Sequence, residues 1–154
     1  MTTRILDLTG IHNFRDYGGY RTSDGGQVKT GTLFRSGQHR DATPEDLQAV
    51  SRLALATIVD LRSDSERELH PCRRADDHKA EVVFAPGNTL GAGSHLDAGN
   101  GVRTAAEAHD AMVDLYRQMP FRPTLTQTYR MMFDRMLDGH GPSLVHCLAG
   151  KDRT

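Results

Sequence analysis

The chain has 154 residues, enough to bury one hydrophobic core and too few for two, so residues 1–154 are read as a single domain. Charged residues make up 25% and hydrophobic ones 37%, which excludes a disordered or fibrous chain. The formal net charge of -1 supplies no overall basic field for nucleic acid or anionic membrane, so any anion chemistry has to be local.

Residues 11–36 are punctuated by glycine, and Ser23-Asp24-Gly25-Gly26 between two extended stretches predicts a hairpin. Thr43-Pro44-Glu45-Asp46 then supplies an N-cap, a first-turn proline and two acids, which predicts a helix to about Leu53. The run "LATIVDLR", residues 55–62, is β-branched and apolar on both faces until Asp60, as a strand inside a sheet would be. A charged segment after it, "SDSERELHPCRRADDHKA", reads as a short helix and loop. "EVVFAP", residues 81–86, reads as a second buried strand. Residues 87–101 are rich in Gly, Asn and Ser and long enough to suspect a lid. Two helical patterns follow. One starts at Thr104 with Ala108, Met112, Leu115, Tyr116 and Met119 on one face and stops at Pro120; the other runs from about Pro123 through Leu125, Tyr129, Met132, Phe133 and Met136 to Gly139. Their Met and aromatic positions are most simply core. "PSLVHC" forms the last strand, and the alternation of strands with helices gives an α/β fold with a largely parallel sheet.

Cys72 and Cys147 stand far apart with no CxxC pair, and "MTTRILDLTG" carries no apolar leader segment. No run is of membrane-spanning length. A reducing, cytoplasmic setting is expected, with non-classical secretion left open.

The chemistry concentrates in "LVHCLAGKDRT", residues 144–154, at the carboxyl end of the last strand, where ligands of open α/β sheets collect. It is not a nucleotide-binding Walker loop, because Asp152 follows Gly150-Lys151 and Val145 occupies the place of the leading glycine. The alternative parse is Cys147, five residues, Arg153: a loop whose N–H groups turn inward around an anion, with Gly150 permitting positive φ. Leu148, Ala149, Gly150 and Lys151 then line a phosphate. Arg153 grips two of its oxygens as a fork. Cys147 lies beneath the phosphorus as a thiolate nucleophile. Asp152 is the first candidate for the general acid that protonates the leaving oxygen, with Asp60 second. No metal or cofactor is needed, Lys151 favours multiply anionic substrates, and His146 positions the loop.

Other candidates divide between function and structure. Arg15, Asp16 and Arg35 could line the mouth of the site or steady the hairpin. Asp60 and Arg62 read more simply as a pair at a strand end. His70, Cys72 and His78 are too few and too irregular for a metal, and Gly91-Ala92-Gly93 lacks the rest of a dinucleotide site.

"HCLAGKDRT" resembles the signature of the Cys-dependent protein tyrosine phosphatases, His-Cys-x-Ala-Gly-Lys-Asp-Arg-Thr. "NFRDYGGY" with "GTLFRS", and then "TIVDLRSDSE", are similar to the atypical bacterial members, so the resemblance spans nearly the whole chain. It implies a phosphatase fold and hydrolysis of phosphotyrosine, with phosphoserine, phosphothreonine and phosphoinositides as further substrates. In it Cys147 is the nucleophile, Arg153 the clamp, and Lys151 with Asp152 the loop residues behind a broad substrate range. Relatives outside this group carry the acid on a loop after the strand equivalent to "EVVFAP", where no aspartate stands here before Asp97, which favours Asp152. The stretch from 104 to 137 would correspond to the region covering the site. The family continues past the loop with a glycine and a helix whose N-terminus faces the phosphate. The resemblance therefore implies that the domain is incomplete at its C-terminus, with the final helix of the phosphate loop missing or supplied by a segment on another chain. One face of residues 144–147 would then lie bare. Two other readings remain, a phosphate-binding module without turnover and sulfur or arsenate chemistry on a related loop.

Overall fold

Thr43 caps the first helix, α1 (Pro44–Ser51), as its sequence predicts: its hydroxyl accepts from the Asp46 N–H, and the Asp46 carboxylate accepts from the Thr43 N–H at 3.0 Å. The same buried carboxylate accepts from the Thr9 and Gly10 amides at 2.9 and 2.7 Å, fastening the N-terminal arm to the helix. Ser63 and Glu66 build a second capping box on α2 (Asp64–Leu69), and Thr104 and Glu107 a third on α3 (Ala105–Gln118). A single 3-10 turn, Met119–Phe121, leads to α4 (Pro123–Leu137), which opens on its proline. These belong to a computed structural model that describes residues 4–89, 104–139 and 141–154.

Five strands form one sheet: β1 (Arg15–Asp16), β2 (Leu33–Ser36), β3 (Thr57–Asp60), β4 (Glu81–Val83) and β5 (Ser143–His146), in the spatial order β1-β2-β5-β3-β4. The glycine-rich hairpin is present. β1 pairs antiparallel with β2, and the arm beyond turns at Gly25, whose φ of 86° requires glycine. All other pairings are parallel, and β5 lies between two strands from much earlier in the chain. Val145 faces Arg35 on one side and Val59 on the other, while His146 faces Ser36 and Asp60.

Side chains of β5 alternate between two cores, as the pleat dictates. Val145 and Cys147 join Val59, Leu61 and Val83 beneath Leu115, Met119, Leu125 and Met132 of the helical layer. Leu144 joins Ile58, Phe34, Ile11 and Phe14 on the opposite face, next to Leu47 and Val50 of α1. Both faces of the strand leading to Cys147 are thus covered, with Leu144 at 0% and Val145 at 4% exposure. This corrects the expectation of a bare face, because α3 and α4 occupy one side and α1 with the N-terminal arm the other. β4 also departs from expectation. It is an edge strand, with Glu81 and Val82 exposed and only Val83 buried, because it pairs with β3 alone and turns one face to solvent. Among the described residues, no helix is long and apolar enough to cross a membrane.

Candidate active site

Beyond His146 the chain leaves β5 and curls over the sheet edge. Cys147 stays buried at 2% exposure, and its Sγ accepts from the Gly150 amide at 3.3 Å. Gly150 makes that turn with φ at 68°, and a Cβ there would lie 2.4 Å from the Ser36 carbonyl carbon and 2.5 Å from the Gly37 nitrogen. Only glycine fits against that backbone.

The loop carbonyls are caught from outside. Leu148 O accepts from the Gln38 amide at 2.9 Å, Ala149 O from Asn13 Nδ2 at 2.8 Å, and Gly150 O and Lys151 O from Arg35 Nη2 at 3.0 and 3.3 Å. In a trans peptide the C=O of one residue and the N–H of the next point in opposite directions. Holding the carbonyls of 148–151 outward therefore turns the amides of Ala149, Gly150, Lys151 and Asp152 the other way. The Gly150 amide on Cys147 Sγ is one such case. Successive inward amides next to a sulfur form a concavity suited to an anion.

Arg153 closes the ring from beneath, 5% exposed. Its Nη1 donates to Glu66 Oε2 at 2.6 Å, Thr89 Oγ1 at 2.9 Å and Leu61 O at 3.2 Å, and its Nη2 to Glu66 Oε1 at 2.8 Å. Among the described residues Glu66 takes the end of the guanidinium, and the side edge, Nε–H and the second Nη2–H, has the geometry of a fork for an anion. Burial opposes charge on both partners, yet their mutual hydrogen bonds hold the Glu66 carboxyl below its ordinary range and Arg153 above its own. The Arg153 carbonyl accepts from Tyr129 Oη at 3.0 Å.

The other sequence candidates fall in three places. Leu148, Ala149 and Lys151 are exposed on the rim, and half-buried Asp152 accepts a hydrogen bond from the Tyr116 hydroxyl of α3. Arg35 braces the loop through its carbonyls, and Arg15 Nη1 donates to Asn13 O at 2.8 Å, one residue contact behind the loop. Asp16 accepts the Gly18 and Gly31 amides and fixes the hairpin base.

Asp60 lies below the loop, 3% exposed, with Arg62 Nη2 on its Oδ2 at 2.8 Å and Arg62 N and Nε on its Oδ1 at 3.0 and 2.9 Å. The carboxylate, read from the sequence as a second acid or as half of a strand-end pair, is thus buried and bonded to Arg62. Burial works against its ionisation, but His146 and the bonded Arg62 still pull it to about 2. Arg62 Nη1 also reaches Gln38 Oε1 at 3.2 Å, so the pair holds the residue whose amide caps Leu148 O. His146 is fully buried, 3.7 Å from Asp60 and stacked on His39 at 5.5 Å between ring centroids; burial pushes it down to about 4, so it is neutral at pH 7.

Glu66, Asn13, Gln38 and Thr89 escaped the sequence reading. Glu66 left one signal, the Ser63-Ser65-Glu66 start of a capping box, which marks a helix and not its distant partner. Tyr129 packs against the core as its position predicts and Tyr116 is instead 44% exposed, and each also sends a hydroxyl to the loop. His70, Cys72 and His78 do not converge: His70 meets Arg40 and Cys72 accepts the His39 amide. Most of the suspected lid, with Gly91-Ala92-Gly93 and Asp97, lies outside the described residues.

Comparison with known proteins points one way. The family model described as the tyrosine phosphatase family matches residues 6–154. A candidate tyrosine-protein phosphatase of Cupriavidus necator is 33% identical over 155 residues, covering 97% of this chain and 53% of that protein. The triple specificity protein phosphatase PtpB of Mycobacterium tuberculosis is 28% identical over 170 residues, covering 97% of this chain and 60% of its own length. The chain therefore spans little more than half the length of these curated relatives.

Proposed function

The chain belongs to the tyrosine phosphatase family, and from that premise we propose that it hydrolyses phosphomonoesters with Cys147 as nucleophile, through a phosphocysteine intermediate. The observation that carries this reading is the Gly150 amide on Cys147 Sγ within a loop whose carbonyls from 148 to 151 are held from outside. Such a ring receives the equatorial phosphate oxygens and spreads their charge over fixed dipoles, with no reorganisation as the transition state forms. The side edge of Arg153 adds a two-donor fork.

In the first step the Cys147 sulfur bonds to phosphorus as the ester P–O bond breaks, and Asp152 gives its proton to the leaving oxygen. In the second, water attacks phosphorus, Asp152 takes the water's proton, and the S–P bond breaks to return the thiolate. Phosphotyrosine is the first substrate. Phosphoserine, phosphothreonine and phosphoinositides are included because Leu148 and Ala149 are exposed on the loop and Lys151 adds a cation for further phosphates. The name of the mycobacterial relative, a triple specificity phosphatase, supports that breadth.

Steady release of inorganic phosphate from 4-nitrophenyl phosphate tests the proposal. Cys147→Ser should reduce it to background while phosphate still protects the protein against thermal unfolding. Phosphate binding without turnover in the unsubstituted protein would make this a binding module, and undiminished turnover in Cys147→Ser would remove the phosphocysteine. Parallel assays on phosphotyrosine peptide, phosphoserine peptide and phosphoinositide set the substrate range.

A further inference from the structure

Two consecutive loop residues, Asp152 and Arg153, are each held by a tyrosine hydroxyl from the helical layer. Tyr129 of α4 donates to the Arg153 carbonyl, a backbone group. Tyr116 of α3 donates to Asp152 Oδ1, an atom of the side chain that the reading above makes the proton donor. α3 is registered on the site by Leu115, which packs with Val59, Val145 and Cys147 in one core. Tyr116, the next residue along, is carried about 100° round the helix by its geometry and reaches the loop from the side. With 44% of its surface exposed, the ring contributes little to the core, and its hydroxyl could be solvated by water; it meets the carboxylate instead.

We propose that Tyr116 is a positioning residue for the general acid, holding Asp152 by Oδ1 so that the travelling proton is carried on Oδ2. The inference rests on the phosphatase reading above. In the first step the proton on Oδ2 passes to the leaving oxygen as the P–O bond breaks and the S–P bond forms. In the second, Oδ2 takes a proton from the attacking water as the S–P bond breaks. Oδ1 keeps the tyrosine hydrogen bond throughout, so the carboxyl group turns neither between steps nor between turnovers. The hydrogen bond to Asp152, with burial, raises the Tyr116 pKa, so the hydroxyl stays a donor over the working pH range.

The experiment is a double-mutant cycle of Tyr116→Phe and Asp152→Asn, read as kcat/KM on an alkyl phosphate, whose leaving group needs a proton, and on 4-nitrophenyl phosphate, whose leaving group does not. Tyr116→Phe should lower the alkyl rate about tenfold and the nitrophenyl rate less than about twofold, the loss of one hydrogen bond to a charged group. The same change made on top of Asp152→Asn should have no further effect, because the tyrosine acts through that carboxylate. Phenylalanine keeps the ring, so the thermal midpoint should not move. An equal loss on both substrates, a loss that persists in the Asp152→Asn background, or no loss at all overturns the assignment. Asp152→Asn and Cys147→Ser serve as the separate check: if neither impairs turnover, the reading of the reaction has failed, and if both do while Tyr116→Phe is silent, only the positioning role has.

Discussion

Glu66 performs two tasks from one position. Its Oε2 accepts the Ser63 amide at 2.8 Å to start α2, and its two oxygens pair with both terminal nitrogens of Arg153. A guanidinium fixed at its end cannot swing, so in the proposed reaction its side edge needs little ordering on binding an anion. Replacing Glu66 by Gln keeps the shape and removes the charge beside a buried cation. We expect a loss of about 2–3 kcal/mol in stability, below the 3–5 kcal/mol seen when a buried pair is fully broken, because Gln still accepts one bond. A fall in kcat/KM on the order of tenfold should accompany it. Urea unfolding and phosphate release report the two effects. If stability falls and kcat/KM does not, the carboxylate holds the helix without preparing the clamp.

Among the elements, Asp46 shows how one side chain joins two segments. Its carboxylate accepts amides of Thr9, Gly10 and Thr43. Burial disfavours its charge, but these amides hold its pKa below the ordinary range. Asp46→Ala strands three donors, and a loss of about 3 kcal/mol in urea unfolding is expected, about 1 kcal/mol for each. A loss under about 1 kcal/mol would mean that the arm is held elsewhere. This contrast between near and distant partners also decides what the sequence could reveal. Thr43, Thr104 and Pro123 announce their helices because a cap acts over three residues, and the Cys147 loop is legible because seven consecutive residues, 147–153, carry it. Glu66 meets Arg153 across 87 positions, Asn13 meets Ala149 across 136, and Tyr116 meets Asp152 across 36, and no local period encodes such pairs. β4 was misjudged for a related reason: "EVVF" has the composition of an inner strand, and only the order of strands makes it an edge. Asp60 and Arg62, two residues apart, form a buried pair that local spacing could suggest.

At the scale of the molecule, the two cores meet at β5 over a buried polar layer of His39, His146, Asp60 and Arg62. Burial pushes His146 from its ordinary 6.5 to about 4 in the fold, whereas in the unfolded chain it protonates near 6.5. Between those values the unfolded state binds the extra proton, so stability falls as pH drops from about 6.5 to about 4, by on the order of 3 kcal/mol. His39, also buried and pushed well down by burial, acts in the same direction. Asp60, displaced from its ordinary 3.8 to about 2, removes more stability as pH falls through that lower range. Urea midpoints at pH 7.5, 5.5 and 4.5 should fall in that order. A flat profile would show that the imidazoles are hydrated in solution.

The central place of β5 also governs when the loop that follows it can take shape. Its two neighbours, Leu33–Ser36 and Thr57–Asp60, are made long before Ser143–His146, and the slot between them closes only when that late strand slides in. Parallel pairings over such sequence separations are slow to form. Until that strand is seated between its neighbours, the segment after it has no fixed shape, and the amide cradle and its arginine form together when it is.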